Sequence, residues 1–99
     1  MSKLFLKMTM GQKTVTTAGQ GVQMPSVVIP ENHFVTVRAL NANTGNIYIA
    51  DSLTNVGIAA NRFILAVGES IDLQIANLNL LWIGATVSGE GVEYIVEVD

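Results

Sequence analysis

Three stretches of this chain alternate apolar and polar residues with a period of two. In FVTVRAL (34–40), Val35, Val37 and Ala39 fall on one side and Thr36 and Arg38 on the other. In SIDLQIA (70–76), Ile71, Leu73 and Ile75 oppose Ser70, Asp72 and Gln74. In GVEYIVEV (91–98), Val92, Tyr94, Val96 and Val98 oppose Glu93 and Glu97. Successive side chains of a strand point to opposite faces, so each stretch predicts a strand with one face in a core and one in water. That is the habit of antiparallel sheets. Shorter strands are predicted at Lys3–Met8, Lys13–Thr17, Ser26–Ile29, Asn46–Ala50 and Arg62–Val67. The expected fold is all-β, one antiparallel β-sandwich or jelly-roll-like domain over residues 1–99.

Turn signals separate the strands. NANTGN (41–46) carries Gly45, expected at a positive φ, beside asparagines that tolerate the left-handed region. AVGES (66–70) and VSGEGV (87–92) read as further turns around Gly68, Gly89 and Gly91. Pro30 lacks a ladder donor, so the strand before it ends there or lies at an edge. SLTNVGIAAN (52–61) has Gly57 at its middle and reads as a loop over the end of the domain, not a helix. At an offset of 36 residues, Val35, Val37, Ala39, Asn41, Asn43 and Ile47 line up with Ile71, Leu73, Ile75, Asn77, Asn79 and Ile83. The echo reads either as two pseudo-symmetric hairpin-like units of a Greek-key sandwich or as chance matching of two alternating strands.

Residues 8–25, MTMGQKTVTTAGQGVQMP, are rich in Thr, Gln and Gly and poor in large apolar side chains. Two readings stand: an extended arm that orders against a neighbouring subunit, with Val22 and Met24 as contact residues, or an edge hairpin with a long loop. Charge limits the partners. Only 13% of residues are charged, against about 25% in ordinary soluble domains. Five scattered basic residues and a net charge of −3 offer no stripe for a phosphate backbone, so nucleic acid is not expected. No run approaches the roughly 18 apolar residues needed to span a bilayer, so no membrane partner is expected. The apolar stretch of MSKLFLKMTM is cut by Lys7 and is shorter than the core of a secretion signal. No cysteine is present, which removes disulfide and thiolate chemistry.

A search for reactive groups yields no catalytic residue, metal ligand set or cofactor site. His33, the one histidine, follows the Pro30–Glu31–Asn32 turn and has no second histidine or cysteine to complete a transition-metal site. Asp72, Glu93 and Glu97 occupy the polar side of alternating strands. DSLTN (51–55) offers several oxygens, a candidate calcium loop, without the ligand spacing of an EF-hand. GQGVQM (19–24) begins like a dinucleotide fingerprint and lacks its last glycine. The chain is not expected to be an enzyme.

VVI (27–29), FILAV (63–67) and LLWI (80–83) are apolar on both faces if extended. In a domain with one core, a second subunit is the economical cover for the other face. Burying one Leu or Phe side chain is worth roughly 1.5–3 kcal/mol. Leu80 and Trp82 are therefore candidate interface residues, with Trp82 as anchor; the other reading of Trp82 is the sandwich core. A closed cyclic oligomer is expected, since open apolar edges aggregate.

VTVRALNANTGNIYIADS, followed by FILAVGESIDLQIANLNLLWIGATVSGEGVEYIVE, resembles small virion structural proteins of tailed bacteriophages. The carriers are an Arg-Ala-x-Asn-x-Asn-Thr-Gly-x-Ile-Tyr-Ile segment, a Leu-x-x-Gly-Glu-Ser turn, Asn-Leu-x-x-Leu-Trp-Ile and a C-terminal Gly-x-x-Tyr strand. Together they cover roughly residues 34–97. The resemblance implies a trimeric sandwich or jelly roll, placed as a capsid decoration (cement) protein on the head exterior after synthesis in the host cytoplasm. Its partners would be two sister copies and the major capsid protein, with 8–25 as candidate latch. A tail, fibre or baseplate module and a carbohydrate-binding jelly roll are the rivals.

Overall fold

The computed structural model describes residues 7–98. Among these residues eight strands form: β1 (Lys7–Thr14), β2 (Val22–Gln23), β3 (Val35–Ala39), β4 (Ile47–Ala50), β5 (Phe63–Leu65), β6 (Ser70–Leu73), β7 (Trp82–Ala85) and β8 (Gly91–Val98). Sheet A has the order β1-β8-β3-β6 and sheet B the order β2-β7-β4-β5. β4 pairs with β5, β3 with β6, β2 with β7 and β1 with β8, all antiparallel. That is one long hairpin folded outward from the β4–β5 end. Rolling it until β8 meets β3 and β7 meets β4 closes both sheets. The result is an eight-stranded jelly roll.

The predicted alternation explains the layering. Val35, Val37 and Ala39 of β3 and Val92 and Val96 of β8 project from sheet A into the core, each at most 1% exposed. Ile47, Ile49, Leu65, Ile83 and Ala85 meet them from sheet B, and Val15, Met24, Ile29, Leu78 and Leu81 close the ends. Several predicted boundaries change: the strand expected over 70–76 ends at Leu73, and the one expected at Arg62–Val67 spans Phe63–Leu65. The strands expected at Lys3–Met8 and Lys13–Thr17 become, within the described residues, one strand from Lys7 to Thr14; Lys3–Leu6 lies outside them. Ser26–Ile29 makes only a bridge, Val28 to Asn77. There Pro25 and Pro30 supply no donors, and the Asn77 side chain takes the Val27 N–H at 3.0 Å. The 52–61 loop contains a one-turn helix, α1 (Leu53–Val56), capped by Ser52 Oγ accepting from Asn55 N at 3.1 Å.

Gly68 and Gly89 take the positive φ their turns require, 77° and 85°. Gly45 does not. It is needed because the chain passes so close to Thr86 and Val87 that a Cβ would overlap the Thr86 hydroxyl.

The sequence echo has a structural counterpart. β3 and β6 lie side by side in sheet A, and β4 and β7 side by side in sheet B, so each unit is a corner crossing from one sheet to the other and not a hairpin. Thr36 stands opposite Asp72, and Tyr48 opposite Gly84. Both pairs are 36 residues apart, equal to the offset of the echo. An approximate two-fold axis therefore passes through both pairs and relates 35–50 to 71–86.

Candidate interaction surface

Among the described residues, twelve large apolar side chains are at least 36% exposed. Four of them share one face. β8 and β3 turn Ile95, Thr36 and Arg38 away from the core, because their alternate neighbours Val92, Val96, Val35, Val37 and Ala39 are buried, and the register of β1 on β8 puts Met8 and Met10 on the same outer side. Met10 lies directly opposite Ile95, which lies opposite Thr36. Phe34 precedes β3 beside this row. Met8 is 53% exposed, Met10 59%, Phe34 50% and Ile95 36%. A cleft of about 250 Å3 runs between Phe34 and Ile95, bounded by His33 and Glu97. Its floor is fixed by the turn Pro30–His33, where His33 N donates to Pro30 O at 3.0 Å and Asn32 takes φ 67°. His33 Nδ1 sits 2.8 Å from the Glu97 carbonyl oxygen, tying the turn to β8.

Beside the apolar row, the face is polar and internally satisfied. Arg38 donates from Nε at 2.8 Å and from its terminal nitrogen to Glu93 Oε1. Thr36 Oγ1 donates to Asp72 Oδ1 at 2.6 Å. A shallow groove of about 520 Å3 follows these groups between Gln12 and Ser70. Exposed ion pairs of this kind contribute little to stability, about 0–1 kcal/mol. Their effect here is to fill the centre of the face with paired charge and leave its β1 side apolar.

The outer face of sheet B is treated differently. Trp82, Tyr48 and Ile64 lie on it, at registers alternating with the buried Ile83, Ile49 and Leu65. The chain's own 51–62 segment crosses it. Val56 is 5% exposed and packs over Gly84 and against Gly21, where a Cβ would overlap its side chain. The Arg62 guanidinium stacks 3.5 Å from the Tyr48 ring centroid and donates to Val56 O at 3.1 Å. Thus the second face of the 80–85 run is covered in part from within one chain.

The four residues singled out from sequence do not share a face. Met24 is 2% exposed and belongs to the chain's own core, so it offers no surface to a partner. Val22, opposite Ile83, packs half-buried on that core. Trp82 is half-buried on the outer face of sheet B between Gln23 and Ala50, so it is not in the sandwich core. Leu80 is 52% exposed but closes a 3₁₀ turn, Leu78–Leu80, and is not part of the strand. The LLWI run therefore splits: Leu81 and Ile83 point inward, Trp82 outward, and Leu80 lies off the ladder. Residues 8–25 supply an edge strand to each sheet, β1 to sheet A and β2 to sheet B, with Val15 at 0% exposure and a mostly exposed turn over 16–20 between them. Sequence reasoning passed over Met8, Met10, Phe34 and Ile95. The available signal was Ile95, an apolar residue between Glu93 and Glu97 on the polar side of β8.

Asp51, Asn55 and Asn61, within the candidate calcium loop and just beyond it, bond to one another. Asn55 Nδ2 donates to Asp51 Oδ1 at 2.7 Å, and Asn61 Nδ2 to Asn55 Oδ1 at 3.2 Å. Among the described residues no group of three or more His, Cys, Asp or Glu side chains is placed to hold a metal ion, and no helix is long and apolar enough to cross a membrane.

Fold and surface together define an eight-stranded jelly roll with one outer face partly apolar. No family model, curated protein or solved structure matches the chain.

Proposed function

We propose that this protein is a capsid decoration protein of a tailed bacteriophage. Three copies assemble on the outside of the head, bind the major capsid protein and hold the shell against the pressure of packaged DNA. The observation that carries the reading is the surface: a 99-residue jelly roll with twelve large apolar side chains exposed among its described residues is suited to standing against other protein. The phage-like wording of residues 34–97 supports it, since that stretch supplies β3 to β8. The mechanism is mechanical. Several modest contacts per trimer must break together before neighbouring capsid subunits part, and linkage through one trimer raises the effective concentration of each contact.

The test is co-sedimentation of the purified protein with phage heads and, separately, with isolated tails. Saturable binding to heads supports decoration. Binding to tails alone makes the protein a tail, fibre or baseplate module, and binding to neither overturns the virion reading.

A further inference from the structure

We infer that residues 51–62 form a strap that lifts from sheet B as one unit, uncovering the Tyr48 ring and the glycine seat beneath it while the jelly roll stays folded. Its lifting depends neither on the virion reading nor on assembly.

The strap leaves β4 after Ala50 and joins β5 at Phe63, and Ile49 stands directly opposite Phe63 in the ladder. The chain thus departs from and returns to adjacent strand ends, which is the form of a compact surface loop packed by its own side chains. Among the described residues, the hydrogen bonds of 51–62 all stay within it. Val56 N donates to Ser52 O at 3.1 Å, Gly57 N to Thr54 O at 3.2 Å, Ile58 N to Asn55 O at 3.0 Å and Asn61 N to Ile58 O at 2.9 Å. The side-chain bonds joining Asp51, Asn55 and Asn61, and the Arg62 bond to Val56 O, close the unit on itself. Lifting it breaks no hydrogen bond to either sheet.

Side-chain contact alone holds it down. Val56 is its one buried residue, and Asp51, Leu53, Thr54 and the run 57–61 are exposed. Val56 fills the room left by Gly84 and Gly21; Leu53 also reaches Gly21 but is 53% exposed. The Arg62 guanidinium adds its stack on Tyr48, 3.5 Å from the ring centroid. The closed position has a cost as well. Arg62 Nε is shielded from solvent and meets no acceptor among the described residues, and lifting returns that donor to water. A segment with little buried apolar surface and self-contained bonding opens locally, at a lower free energy than global unfolding.

The chain has no cysteine, so one introduced thiol reports on one site. The experiment compares the rates at which a thiol reagent labels Val56→Cys and Val37→Cys under native conditions, Val37 being fully buried between the sheets. Val56→Cys should react at least about tenfold faster than Val37→Cys, and more slowly than the same thiol in urea-unfolded chain. Adding Arg62→Ala should speed the Val56→Cys reaction several-fold and leave the Val37→Cys rate unchanged. If Val37→Cys fails to fold, Val92→Cys, equally buried, takes its place. Equal rates at the two sites overturn the strap, because Val56 is then reached only by global unfolding. Equal acceleration of both sites by Arg62→Ala overturns its independence from the core. A Val56→Cys rate matching the unfolded chain overturns the closed contact.

Discussion

Glu90 shows how one side chain can hold a whole corner. Its carboxylate accepts from Thr44 N at 2.6 Å, Thr44 Oγ1 at 2.9 Å and Gly45 N at 2.9 Å, gathering the 41–46 turn that carries the chain from sheet A to sheet B. Desolvation pushes its pKa up, but the bonds from Gly45 and Thr44 together pull harder, so it titrates below its ordinary 4.5. A carboxylate with a depressed folded pKa stabilises fully above its unfolded value and loses that contribution as pH falls through the folded one. The melting-temperature gap between wild type and Glu90→Gln should therefore be constant at neutral pH and close as pH drops below about 4.5; a gap that persists into acid would refute the assignment. Asn43, 6% exposed, works beside it. Its amide donates to Gly91 O at 2.8 Å and accepts from Gly91 N at 3.2 Å, replacing a strand partner. Asn43→Ala takes the Asn43 acceptor from the Gly91 N–H, leaves the Gly91 carbonyl with the Leu40 N–H at 3.2 Å, and should cost about 1–3 kcal/mol in denaturant unfolding.

At the scale of elements, β1 matters most. An arm that latched onto a neighbour could be removed without harm to the domain. β1 instead pairs with β8 over eight residues, and the chain then turns Val15 into the core. Deleting residues 1–14 should abolish the cooperative thermal melt; an unchanged melting temperature would restore the arm. In the middle of sheet B, Ile47 is fully buried between the two layers. Ile47→Ala should lower stability by about 2–5 kcal/mol, measured in urea, because the tight packing on both sides cannot collapse onto the space. The β4–β5 crossing shows where sequence reading fell short. α1 is a single turn and carries no helical periodicity to detect. Its position over Gly84 depends on a residue 28 positions further along the chain.

Across the whole molecule, the pairing of strand k with strand nine minus k makes nearly every stabilising contact long-range. The two crossings related by the approximate two-fold supply both central strands of sheet B, β7 and β4, but only one of the two in sheet A, β3. In sheet A, β8 flanks β3 while β6 stays an open edge. If the chain assembles as proposed, its melting temperature should rise with protein concentration, since association stabilises the folded state by mass action; a concentration-independent value over a hundredfold range would argue for a monomer.

By itself, the sequence determined that the chain is all-β, where the three long alternating strands run, which of their side chains enter the core and where the turns fall. These follow from a period of two and from local backbone chemistry, both of which act between near neighbours. Only the tertiary structure decided which strands became edges, that Met24 is core, that Trp82 faces outward and that the 51–62 segment covers the face it shares with Tyr48. The apolar row of Met8, Met10, Phe34 and Ile95 also exists only once β1, β8 and β3 lie side by side. Period two gives each strand a face without saying which strand stands beside it, and that is set by the rolling of one hairpin whose ends are more than eighty residues apart.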